Sequence, residues 1–379
     1  MTENSGQEEC DPLKTLLSCY FLSIGSELAK INLNTHHEAL LNYIPYLHKI
    51  KKSYRAHIIS EKLQHSGYNV PPQDYEFILE AQKSGHILGL NQPIVVKTTP
   101  KTQKKYSTIG AVNQFSLTFL IEKISAYLVH HSSATAFKTI LEALIQTENK
   151  MIPHTHLFKP ESADFFFQNY QNNHLVILPS GWKGHTTGIG IYQNYVVVCN
   201  RGPGTDPGKG TKIYPIIDTS LITPTWIMEL IDLENKCNLN DFNTILSKVI
   251  DLKKPQYTFP SKPQKNGNCS YANLKSLLEG VHYLLTKPKD ITNREKYKHF
   301  TEFTRAHQLY LILKKITSPT LLPIQFQFYS HILMAYFKKI NLPVKHNLTS
   351  YYETLYTYPI IKDLLLQNKD NTEKIISHK

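Results

Sequence analysis

Hydrophobic positions in the first third of the chain recur at helical spacing. Leu13, Leu16, Leu17, Tyr20, Phe21 and Ile24 share a broad apolar face, and Asp11 with Pro12 supplies an N-cap and first-turn pair ahead of them. The same periodicity predicts helices near residues 38–64, kinked at Pro45, and near residues 73–83. Residues 91–107, with Pro93, Pro100 and several lysines, read as a connector or an edge hairpin. Helices near residues 112–130 and 134–146 follow.

Between about residues 165 and 260 the period changes from helical towards strand-like. Leu175, Val176, Ile177 and Leu178 form a short apolar run that Pro179 is expected to stop, and residues 186–192 and 195–199 read as two strands joined at Gln193-Asn194. A Gly and Pro cluster over 202–210 leads into a further strand over 213–217. Thr223 with Pro224 caps a helix to about residue 233, and Asn240 opens another to about residue 252. Residues 253–268 carry Pro255, Pro260 and Pro263 and read as an extended loop. At Cys269 the helical pattern returns, with Ala272, Leu277, Leu278, Val281 and Leu285 on the buried face, and it continues with polar joints to about residue 366. The pattern therefore predicts an α+β chain: a mainly helical N-terminal region (1–150), a core with a small antiparallel sheet and a helix starting at Cys269 (151–286), and a helical C-terminal region (287–379).

Composition narrows the class without naming a function. With 379 residues, 41% of them hydrophobic and 19% charged, the chain can bury a sizeable core and is not a disordered polymer. The 42 Lys and Arg against 30 Asp and Glu leave a formal charge of +12. These basic residues are dispersed in pairs such as Lys253-Lys254 and Lys338-Lys339 with no nucleic-acid motif beside them, so nucleic acid is not the expected partner. Five widely spaced cysteines without a C-x-x-C pair indicate neither a disulfide framework nor a zinc ribbon, and fit a reducing compartment. The acidic first residues lack the layout of a secretory signal, and no apolar run approaches the roughly 20 residues of a membrane span.

The most informative segment is Gly267-Asn268-Cys269-Ser270-Tyr271-Ala272-Asn273, which places a thiol between a flexible loop and a helix start. Unpaired N–H groups and the positive end of the helix dipole lower a thiol's pKa there, and the same N–H groups can hold an oxyanion. A thiolate nucleophile needs a proton acceptor, and His185, opening a strand after Pro179-Ser180-Gly181-Trp182-Lys183-Gly184, is the best placed histidine. With a turn at Gln193-Asn194, Asn200 at the end of the next strand lies across the ladder from His185 and can accept its ring N–H; Asp206 and Asp218 are the alternatives. Two other signals carry less. The run from Gly202 to Thr211 lacks the first glycine and the Ser or Thr of a phosphate loop, and His154-Thr155-His156 has no further ligands for a metal.

The blocks Gly181-Trp182-Lys183-Gly184-His185, Cys199-Asn200-Arg201-Gly202 and Gly267-Asn268-Cys269-Ser270-Tyr271-Ala272-Asn273 resemble the cysteine-protease-like domains of effectors translocated by Legionella-type intracellular bacteria. The chain order His, Asn, Cys is also that of the ubiquitin-like-protein protease clan, a papain-related fold with permuted elements. The resemblance covers about residues 165–283 and implies a papain-like core without a cofactor. It further implies a peptidase, isopeptidase or acyl transferase delivered into the host cytoplasm and acting on a host protein. On this pattern Cys269 is the nucleophile, His185 the base, Asn200 the orienting group and Gln264 the oxyanion donor, with Asn266 or Asn268 able to take the place of Gln264. Asn stands where the clan more usually has Asp, and a neutral amide stabilises imidazolium less than a carboxylate does.

Overall fold

The structure is a computed structural model that describes residues 41, 72–100, 102–152, 156–202, 209–232, 235–236, 238–261, 269–286, 292–318, 321–342, 355 and 362. The chain divides into two compact units, Met1–Glu80 and Ala81–Lys379. The helices expected over residues 13–24 and 38–64, and the chain end after residue 366, lie outside the described residues apart from position 41.

A helix α1 (Pro72–Leu88) opens on Pro72, whose missing N–H costs no bond in a first turn. It runs past Lys83 to Leu88, and a left-handed Gly89 (φ 69) follows it. Residues 91–107 form a hairpin, β1 (Ile94–Lys97) paired antiparallel with β2 (Gln103–Tyr106). Helices α2 (Asn113–His130), α3 (Thr135–Lys150) and α4 (Ser162–Gln171) precede the main sheet.

That sheet has five antiparallel strands in chain order: β3 (Val176–Trp182), β4 (His185–Tyr192), β5 (Tyr195–Cys199), β6 (Lys209–Pro215) and β7 (Tyr257–Pro260). Between β6 and β7 lie a 3-10 turn (Thr219–Leu221), α5 (Pro224–Ile231) and α6 (Leu239–Ser247). After β7 come α7 (Cys269–Thr286), α8 (Thr292–Ile316) and α9 (Pro323–Lys339). The chain is α+β, with an antiparallel sheet and helices grouped around it.

Helices cover both faces of the sheet, so β3 and β5 are buried at nearly every position instead of alternating. On one face Val176, Leu178, Ile189, Ile191, Val196 and Val198 meet Phe166 of α4, Trp226 and Leu230 of α5, and Phe242 and Leu246 of α6. On the other, α7 presses close because its path is lined by glycine. A Cβ on Gly188 would stand 3.2 Å from Leu277 side-chain atoms, and one on Gly190 would stand 3.0 Å from Val281.

Several expected boundaries move, each for a local reason. Pro179 does not stop β3, which continues to Trp182 with Pro179 opposite Gly188; β3 is an edge strand, where a proline removes no ladder bond on its open side. The extended loop expected over 253–268 contains β7, the other edge, which ends on Pro260. The strand expected over 213–217 begins earlier, at Lys209, and ends at Pro215. Thr223 caps α5 as expected, its side chain accepting from Trp226 N–H, and α5 ends at Ile231. The next helix is capped by Asn238 instead of starting at Asn240, through a reciprocal pair with Asp241, and stops at Ser247.

Candidate active site

Two hairpins set the position of His185. Trp182 pairs with His185 across the two-residue turn Lys183-Gly184, where Gly184 takes a left-handed φ of 84°. The Trp182 and His185 rings pack at 4.6 Å, so indole covers one face of the imidazole. From His185, β4 runs to Tyr192, turns at Gln193-Asn194 and returns as β5, whose last residue Cys199 pairs with Gly188. This brings Asn200 back to the start of β4.

His185 Nε2 lies 2.9 Å from Asn200 Oδ1, and the amide oxygen also accepts the N–H of Gly202 at 3.0 Å. Asn200 is buried, and its own N–H donates to Gly210 O at 2.9 Å. A ring nitrogen that faces an amide oxygen carries the proton, which leaves Nδ1 for a second partner. The imidazole also approaches the backbone closely: a Cβ on Gly202 would fall 2.3 Å from His185 Cε1.

Cys269 is the first residue of α7 and is half-buried. Its thiol lies near the His185 ring and the backbone of Thr186 and Ser270, close enough for each to act on its titration. Burial pushes the thiol up, but the hydrogen bond from His185, the two backbone donors and the imidazolium charge outweigh it, holding the thiol below its ordinary value. Burial pulls His185 down, and the hydrogen bonds with Cys269 and Asn200 and the thiolate charge more than restore it, so His185 lies above its ordinary value. Each group's shift favours its charged form in the presence of the other. Cys199 makes the contrast: burial pushes its thiol up to about 12, although Thr211 Oγ1 donates to its sulfur at 3.2 Å.

The first turn of α7 is fixed from outside. Ser270 Oγ donates to Ala111 O at 3.0 Å and accepts from Ser116 Oγ at 2.8 Å, tying the turn to α2. One turn on, buried Asn273 accepts the N–H of Arg201 at 2.8 Å and donates to Thr186 O at 2.5 Å.

Of the four residues assigned from the sequence, Cys269, His185 and Asn200 stand together, while Gln264, Asn266 and Asn268 lie outside the described residues. Asp206 is likewise outside them. Asp218 accepts from Ser220 N–H at 2.9 Å and caps the 3-10 turn, so its carboxylate is committed there. His156 accepts the N–H of Asn113 at 3.3 Å, and burial lowers its pKa to about 4; His154 is not described. The sequence blocks around the site contain Asn273 and Trp182 but give neither a role. Neither residue type signals position, and only the register of β3 on β4 and the docking of α7 reveal what they touch.

The fold and this cluster define an α+β protein in which an imidazole is hydrogen-bonded to an amide and a thiol lies beside it. A family model described as Dot/Icm T4SS effector AnkD/LegA15 matches residues 36–316. That is most of the chain, and the chain belongs to this family of effectors, which are translocated into the host cell. No curated protein sequence matches it. Among solved structures it is similar to one titled "Structure of Legionella Effector AnkH", with a TM-score of 0.60 and 14% sequence identity over 95% of this chain and 88% of that one. At that identity the likeness concerns the fold. Among the described residues no helix is long and apolar enough to cross a membrane.

Proposed function

We propose that the chain is a thiol hydrolase that cleaves a peptide or isopeptide bond of a host protein, with a papain-like core over residues 151–286. The observation that carries this reading is the series Cys269, His185 and Asn200, with the thiol at a helix start and the imidazole held by an amide oxygen at 2.9 Å. The Cys269 thiolate attacks the carbonyl carbon, and its electron pair forms the C–S bond as the carbonyl oxygen becomes an oxyanion. Collapse breaks the C–N bond, and the His185 imidazolium gives its proton to the leaving nitrogen, leaving a thioester. Neutral His185 then takes a proton from water, whose oxygen attacks the thioester carbon; collapse breaks the C–S bond, releasing the carboxylic acid and the Cys269 thiolate beside protonated His185. Gln264 is proposed as the side-chain oxyanion donor, beside backbone N–H groups at the start of α7. With an amine in place of water, the same steps transfer the acyl group. The helical regions 1–150 and 287–379 are proposed to recognise the protein substrate.

The test is labelling with iodoacetamide at about pH 6, where an ordinary thiol is almost wholly protonated. The expected result is that Cys269 labels ahead of the other four of the chain's five cysteines, and that His185→Ala removes the preference. In host cells, Cys269→Ala should abolish substrate turnover and retain partner binding. Equal effects of wild type and Cys269→Ala would make the chain a protein-interaction module on a protease-like scaffold.

A further inference from the structure

We propose that Asn273 is a positioning residue for the thiol, the strut that sets the spacing between the helix bearing Cys269 and the strand ends bearing its two partners; this rests on the thiolate reading above. Asn273 follows Cys269 by four residues on α7, so the two lie on one helix face a turn apart. Its side chain is fully buried between α7 and the sheet. Nδ2 donates to the carbonyl of Thr186, the residue after His185, and Oδ1 accepts the N–H of Arg201, the residue after Asn200. One amide therefore holds the backbone immediately beside each partner of the thiol.

The link is tighter on the His185 side. Thr186, whose carbonyl Asn273 holds, also places its backbone close enough to Cys269 to act on the thiol's titration. Thr186 Oγ1 in turn donates to Asn113 Oδ1 at 3.0 Å, which fixes the strand end against α2. On the Asn200 side, Arg201 adds its own clamp, with Nη1 donating to Ala272 O at 3.3 Å and Ser276 Oγ at 3.2 Å. Only a side chain with a donor and an acceptor on one short planar fork meets both backbone groups from a single helix position. An aspartate keeps the acceptor for Arg201 and turns the other arm into a repulsion against Thr186 O. A serine leaves space and reaches neither group fully.

The experiment measures the alkylation rate of Cys269 against pH, site by site by mass spectrometry, in wild type, Asn273→Asp, Asn273→Ser and His185→Ala. Urea unfolding is measured on the same proteins. The expected result is a raised apparent pKa of Cys269 in both Asn273 variants. Alkylation at about pH 6 should slow about tenfold for every pH unit by which the titration midpoint rises, and should be unchanged once the thiol is fully ionised. Should one variant fail to fold, the other carries the test. Lowered stability with a wild-type pH profile for Cys269 would overturn the proposal, because it would make Asn273 a packing residue only. If wild-type Cys269 titrated as an ordinary thiol and His185→Ala left it unchanged, the thiolate reading itself would fall, and the strut with it.

Discussion

The acceptor for His185 is an amide, and that choice sets how far the thiolate pair extends in pH. An Asn200→Asp carboxylate would accept the same ring N–H and add a full charge, so it should raise His185 further and lower Cys269. Asn200→Leu should act in the opposite sense. The sign follows from the shifts: Cys269, lowered, loses its charged form as pH falls through its folded value, whereas His185, raised, loses its charge as pH rises through its own. Asn200→Asp should therefore move the alkylation profile of Cys269 to lower pH, and Asn200→Leu should move it to higher pH. Gly202→Ala makes a steric test of the same ring. Its Cβ would stand 2.8 Å from Nε2, so the imidazole must move, and reactivity of Cys269 at about pH 6 should fall about 100-fold with the circular dichroism spectrum unchanged.

At the scale of elements, the site depends on how closely α7 lies on the sheet. A Cβ on Gly280 would meet Val197 Cγ1 at 2.8 Å and Thr211 Cγ2 at 2.9 Å, both on branched side chains with little freedom to yield. Gly280→Ala should cost about 1–3 kcal/mol in urea unfolding despite alanine's better helix propensity. A neutral or stabilising result would mean that α7 sits further out. Elements that announce themselves locally were legible from the residues alone: the β4–β5 hairpin, the Thr223 cap and the helix that follows the proline-rich approach to Cys269. Pro179 and Pro260 misled because proline is forbidden only where a ladder bond must form, and edge position is a property of the whole sheet. Within the site, His185 and Asn200 could be paired because one turn relates them. The roles of Asn273 and Trp182 could not be read, since each depends on docking between segments far apart in the chain.

For the whole molecule, buried neutral histidines set the acid limit. His86 stacks on Tyr271 at 5.4 Å and His282 packs on Phe137 at 4.8 Å, and burial lowers each to about 4, with Lys296 adding to the shift at His282. Below pH 6.5 the unfolded chain binds protons at both positions that the folded chain refuses, so stability falls as pH falls until the folded values are reached. Each histidine contributes about 1.4 kcal/mol of loss for every pH unit in that range. Urea unfolding at pH 7, 6 and 5 should show the decline, and His282→Phe should make it shallower. A flat profile would show that these rings, and His156 and His307 with them, take up protons as readily in the folded chain as in the unfolded one.

The chain-order sheet has a consequence in time. Strands β3 to β6 follow one another across short connections and can pair by successive short-range steps, whereas β7 returns only after α5 and α6 and Asn273 must find Thr186 across 87 residues. The two tryptophans report on closer-range packing than that, Trp226 Nε1 donating to Ile245 O at 2.9 Å nineteen residues on and Trp182 ending β3 against Phe242 of α6. On dilution from denaturant, tryptophan emission should recover before Cys269 regains its reactivity at about pH 6. Between those two events the chain is folded by fluorescence and chemically silent.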